Sequence, residues 1–185
     1  AFTFAGKEVA DPEGLTSACI AKYNGNGEEQ WAVTMEGGAL VYALDTDEDG
    51  TLYAAGNFMD VVKYTGTDGT TGELAGGADV YTAFVAKISK DGAIEGIKTF
   101  APVVNSAIME SFMYFPEPGY VYVTPNNIKI DGEKVYVSAT YTADVEELGW
   151  KATYLNVFDF MYMENKSAGI FSLNKNDLSN PASVA

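Results

Sequence analysis

The run DTDEDG, Asp45 to Gly50, is where residue types and spacing come nearest to chemistry. Acidic side chains at alternate positions before a glycine open several calcium loops, because a hard cation gathers oxygen ligands inside a tightening turn. In a helix-loop-helix calcium site Asp45, Asp47 and Asp49 would take positions 1, 3 and 5, and Gly50 position 6. That loop closes with a bidentate glutamate at position 12, where this chain has Gly56. Asp-Gly and Asn-Gly also recur in SKDG, NGNG and KIDGE, and tight hairpin turns select such pairs because they need positive φ. The expected role of DTDEDG is therefore a hairpin turn. A calcium site through Asp45, Asp47 and Asp49 is the competing reading; no cofactor is expected, with calcium the alternative.

Other chemistry has thin support. The chain has no histidine, so the usual general base and the commonest transition-metal ligand are missing. Its single cysteine, Cys19 in SACIAKY, cannot form an internal disulfide and is expected as a small core residue. Glu110, Glu117, Asp144, Glu146, Glu147 and Asp159 make no motif tied to a reaction. An extracellular glycoside hydrolase or lyase would need two facing acids about 5–10 Å apart.

Two stretches concentrate aromatic and methionine side chains: NSAIMESFMYFPEPGYVYV from Asn105 and LGWKATYLNVFDFMYMENK from Leu148. Aromatic rings beside carboxylates stack on sugars or anchor a partner surface. Tyr114, Phe115, Tyr120, Trp150, Tyr154, Phe158 and Tyr162 are the expected ligand-binding set. The partner would be a glycan or a protein.

The elements that must position these residues are strands. FTFAG, ALVYALD, TLYAAG, TAFVAKIS, VYVTP, NNIKID and KVYVSATY are short, rich in β-branched and aromatic residues, and bounded by turn formers. The stretch Val145 to Leu155 offers at most a turn of helix. With 47% hydrophobic and 20% charged residues in 185, the chain has enough apolar material for a real core. A formal charge of −15 argues against a nucleic-acid or anionic-membrane partner. No run approaches the ~18 apolar residues of a membrane helix. The opening AFTFAGKEV lacks the basic start and apolar core of a signal peptide.

The strands also repeat. SACIAKYNGNGEEQW from Ser17 aligns with TAFVAKISKDGAIEG from Thr82, a shift of 65 residues, and more faintly with SAGIFSLNKNDLSN from Ser167. FTFAGKE, LYAAGNF and VYVSATY form a second recurring set. One unit reads strand, Asp-Gly turn, strand, variable insert, strand, glycine turn, strand. About three units are expected, at 1–38, 39–101 and 125–185, with an insert over 101–124 and the first unit lacking its opening strand. Inserts of variable length at one fixed point of a repeat are expected to line a binding face.

At AFVAKISKDG and ALDTDEDGTLYAAG the chain resembles a family of bacterial β-propeller repeats. The resemblance covers about half the chain and implies an all-β fold: a propeller-like array of about three four-stranded antiparallel blades, the first incomplete. It implies a secreted, periplasmic or cell-surface location; the expectation of a binding or scaffolding module comes from the repeats together with the aromatic inserts. Ala21, Gly27 and Trp31 are similarly spaced to the tryptophan-docking repeats of quinone-dependent dehydrogenase propellers. Gly96 stands where the next tryptophan would fall, so Trp31 is expected to pack between blades and not to signal a quinone. Propellers close with roughly four to eight blades. The array is therefore expected to be part of a larger propeller, completed by the same precursor or by another subunit. Failing that, it would be a structural subunit assembling through open blade edges.

Overall fold

The computed structural model describes residues 2–4, 7–9, 17–77, 79–103, 121–152 and 166–184. A hairpin of β1 (Phe2–Phe4) and β2 (Lys7–Val9) precedes β3 (Ala18–Tyr23) and β4 (Glu29–Glu36). Next come β5 (Ala39–Thr46), β6 (Leu52–Phe58), β7 (Val61–Thr65), β8 (Thr71–Ala75), β9 (Val80–Ile88) and β10 (Ile94–Phe100). The chain ends with β11 (Val121–Asp131), β12 (Lys134–Tyr141), β13 (Ser167–Asn174) and β14 (Ala182–Val184). Among the described residues the one helical piece is a 3-10 turn at Glu146–Leu148, in the stretch expected to give no more than that. No helix among them is long and apolar enough to cross a membrane.

The protein is all-β. A first sheet runs β3-β4-β7-β8. The second pairs β5, β6, β9 and β10 antiparallel in that order. The third does the same with β11, β12, β13 and β14. A short parallel pairing of Val80 with Val121 and Tyr81 with Tyr122 joins the second and third into one mixed sheet.

Peptides matched by sequence occupy matched registers. β6 pairs with β9 from Leu52↔Ile88 to Phe58↔Thr82, and β12 with β13 from Val135↔Leu173 to Tyr141↔Ser167. β3 pairs with β4 from Ala18↔Met35, as β9 pairs with β10 from Ala83↔Phe100. Both of these pairs break register at one place, after Lys22↔Trp31 and after Lys87↔Gly96.

The central strands of the second sheet, β6 and β9, are buried on both faces, because they alternate apolar residues toward each neighbour. Leu52, Ala54, Phe58, Phe84 and Ile88 pack with Ile20, Trp31, Val33 and Met35 of the first sheet. Tyr53, Ala55, Ala83 and Val85 pack with Val135, Val137, Phe171 and Leu173 of the third. Every residue of β6 is buried, and its centre, Ala54-Ala55-Gly56, is made small by that crowding. A Cβ on Gly56 would lie 2.7 Å from the Phe84 ring and collide with the Leu40 carbonyl.

Trp31 fills the joint between the first two sheets. Its Nε1 donates to the Lys90 carbonyl at 2.8 Å, and its ring lies where a Cβ on Gly92 would come within 2.8 Å. Trp31 thus packs between two sheets. Trp31→Phe is expected to keep the fold and cost about 1–2 kcal/mol, by removing one of the two donors to that carbonyl, the other being Lys22 Nζ, and leaving the space partly empty. Urea unfolding measures it.

Three local expectations differ from the structure. VYVTP and NNIKID, read as separate strands, form the single strand β11, which opens at Val121 and not at 125. Pro125 has no N–H for the ladder, and a register shift directly after it, between Pro125 and Asn127, lets the strand continue. The insert after Gly56, read as a loop, contains the hairpin β7–β8, whose first strand pairs with β4 and brings the first sheet to four strands. FTFAGKE, matched to LYAAGNF, does not pair with β3 as β6 pairs with β9; β1 pairs with β2.

Candidate functional site

The two ends of the sheets differ. One end carries short turns of a single design. Asn24, Asp47 and Ser89 each accept, through the main-chain carbonyl, the N–H of a glycine three residues on: Gly27, Gly50 and Gly92. Those glycines have φ of 81°, 83° and 86°, where a side chain would be strained. The side-chain oxygen of each capping residue also accepts turn amides; Asp47 Oδ1 takes Asp49 N at 3.1 Å and Thr51 N at 2.9 Å. Asn24 Oδ1 does this for Asn26 and Glu28, and Ser89 Oγ for Asp91 and Ala93. Asp47 in DTDEDG therefore has the role of an asparagine and a serine elsewhere.

Asp45 points the other way, to the third sheet. Its Oδ2 pairs with Lys129 Nζ at 3.0 Å and accepts the Ile130 amide at 2.8 Å. Burial by itself raises the Asp45 pKa; the Ile130 amide, Lys129 and the Thr46 amide outweigh it and hold the carboxyl below its ordinary value. A depressed folded-state pKa stabilises the fold above the unfolded value, and this is lost as pH falls through the folded one. Asp45→Asn should be less stable than the wild type at pH 7, with the gap closing as pH drops below 3.8. Thermal unfolding against pH reads this directly. Asp45 and Asp47 are thus engaged in different directions, and among the described residues no three acids or other ligands gather as a metal group. Beside them a charged groove of about 440 Å³ runs between the β5–β6 and β11–β12 turns, lined by Asp47, Glu48, Lys129, Asp131, Glu133 and Lys175.

The opposite end carries the inserts. β6 ends there at Phe58 and β10 at Phe100, β9 begins there at Val80, and β11 begins at Val121. β12 ends there at Tyr141, and β13 begins at Ser167. Antiparallel pairing puts all these strand ends together, so the chain over 59–79, 101–120 and 142–166 leaves from and returns to one side.

The roots of these inserts are tied to one another. Val80, Val121 and Ala143 form an apolar cluster beneath them. The Val103 amide donates to the Asp144 carbonyl at 2.8 Å, and Asp144 Oδ1 accepts the Ala152 amide at 2.9 Å. Asp144 also pairs with Lys151 at 2.8 Å, so this acid is a clasp. The Tyr122 amide donates to Thr142 Oγ1 at 3.0 Å. Nearby, Asn57 Nδ2 donates to Thr124 Oγ1 at 2.9 Å, while Asn57 Oδ1 is buried with no partner among the described residues. Tyr42, half-exposed in the same region, has its pKa pushed up by burial and by Tyr81, and eased by Asn57.

Of the expected ligand-binding set, Tyr114, Phe115, Tyr120, Tyr154, Phe158 and Tyr162 lie outside the described residues. Trp150 is described and is 6% exposed. It stacks on Tyr141 at 4.7 Å, meets the Phe171 ring edge-on at 5.7 Å, and donates from Nε1 to Ser183 Oγ at 3.0 Å. Both indole faces lie within the core, so Trp150 holds an insert root in place and offers no open face. The clasp at Asp144 and the Asn57–Thr124 bond were missed by sequence reasoning, since each joins residues from different elements with no motif around them. No protein-family model matches this sequence, and no curated protein matches it either.

Proposed function

We propose that the chain is a binding or scaffolding module of β-propeller type, acting outside the bacterial cytoplasm and recognising a glycan or protein partner at its insert-bearing end. The carrying observation is the segregation of the two ends: short capped turns on one, and on the other insert roots joined through Asp144, Thr142 and the Val80–Val121–Ala143 cluster. A repeated sheet that sends its variable segments to one side gives rigid support to a contact surface. The blade reading draws on the matched registers of the second and third sheets and on the resemblance at AFVAKISKDG. The aromatic residues of the inserts supply the contact chemistry, with Tyr154 and Phe158 as the residues to test. No part of this reading needs calcium.

The test is binding of the whole chain to arrays of immobilised glycans and peptides. A saturable ligand is expected, with affinity at least tenfold weaker in Tyr154→Ala or Phe158→Ala at an unchanged unfolding midpoint. Inert arrays, or affinity untouched by either substitution, would contradict the proposal.

A further inference from the structure

We propose that Asn26 is a modification site: in the folded chain it deamidates spontaneously, while Asn24, the other Asn-Gly asparagine of the same turn, is protected. Asparagine is a thermolabile residue, and before glycine it is most exposed to attack, because no side chain shields the following amide nitrogen. The turn between β3 and β4 reads NGNG and so offers this chemistry twice, two residues apart. Both asparagines are exposed.

The two side chains are held very differently. Asn24 Oδ1 accepts the Asn26 and Glu28 amides at 2.9 and 3.0 Å, and Asn24 Nδ2 donates to Glu28 Oε2 at 2.6 Å. Closing a ring from that carboxamide onto Gly25 N gives up these three bonds. The Asn26 carboxamide has no hydrogen-bond partner among the described residues. A single bond restrains its attacker, the Gly27 amide, which donates to the Asn24 carbonyl at 3.0 Å.

The reaction needs only water. Gly27 N attacks Asn26 Cγ, its proton passes to solvent, and the bond from Cγ to Nδ2 breaks with loss of ammonia. Water then opens the cyclic imide. Opening at the former side-chain carbonyl gives aspartate. Opening at the main-chain carbonyl gives the isoaspartyl link, in which the chain runs through the side-chain carboxyl.

The turn already suits the aspartate product. At Gly27, Gly50, Gly69 and Gly92 a glycine of positive φ donates its N–H to the carbonyl three residues back. The residue before each glycine is Asn26, Asp49, Asp68 and Asp91. The amides of Asn26, Asp49 and Asp91 are also bonded alike, to the side chains of Asn24, Asp47 and Ser89. Deamidation of Asn26 therefore installs the residue that the same turn carries elsewhere. At Asn24 it would replace the donor to Glu28 with a second carboxylate.

Peptide mass mapping of the full chain, stored folded in mildly alkaline heavy-oxygen water, tests this. Asn26 should gain the amide-to-acid mass with one heavy oxygen, at least tenfold faster than Asn24, since each bond to be broken is worth roughly fivefold. In urea, where the turn is gone, the two should react at similar rates. Asn26→Asp should unfold at the wild-type midpoint and Asn24→Asp below it. A folded chain that gains no acid at Asn26 overturns the proposal. So does Asn24 matching the rate of Asn26 in the folded chain, or an Asn26→Asp midpoint clearly below the wild type.

Discussion

Trp150→Ala is expected to destabilise the protein by about 4 kcal/mol, the range found when a buried large aromatic is truncated. The indole stacks on Tyr141, abuts Phe171, and lies where a Cβ on Gly169 would come within 2.6 Å, so its removal leaves a cavity that the sheet backbone cannot collapse into. The Ser183 hydroxyl loses its donor as well. For a chain of 185 residues this lowers the unfolding midpoint by roughly 8–16 °C. Trp150→Phe should recover at least half of the loss, because a ring is restored without the hydrogen bond. Any ligand affinity lost in Trp150→Ala should then return in Trp150→Phe, marking the residue as a support. Calorimetry of the two variants is the check. A Trp150→Ala protein of wild-type stability would show that the indole is not a core residue.

Gly56→Ala is expected to cost about 3 kcal/mol, the upper part of the overpacking range, although alanine is ordinarily a harmless replacement in a strand. The added methyl meets the Leu40 carbonyl and the Phe84 ring together. Neither can retreat: β5 is bonded to β6 through Leu40↔Asn57, and the fully buried Phe84 packs against Phe58 at 6.3 Å. The unfolding midpoint should fall by roughly 6–12 °C. Gly96→Ala, at a glycine with open space around it, should be close to neutral in the same assay.

Much of the fold was legible because the repeat is written into local chemistry. The capping residue and glycine of each turn, and the small-apolar-Ala-Lys run of β3 and β9, can be read one segment at a time and compared. Trp31 could be read as a packing residue because Gly96, at the matching place, breaks the tryptophan-docking pattern. The hairpin β7–β8 was not legible: VVKYTGTDGTTGELA reads as polar and glycine-rich, and its place in the first sheet comes from pairing with β4, which lies far away in sequence. Trp150 misled for the converse reason. Its neighbours along the chain are polar or small, whereas the rings that bury it, Tyr141 and Phe171, come from β12 and β13. Asp45 likewise looked like a ligand within its own loop, and its partners are Lys129 and Ile130 on another sheet. What sequence missed in each case was contact between elements.

Cross-strand nuclear Overhauser effects in the folded chain test the shared register most directly. Protons of Leu52 should see those of Ile88, and protons of Val135 those of Leu173, each pair through the same set of flanking contacts. A register displaced by one residue in either strand pair, or unlike partners for the two, would contradict the account.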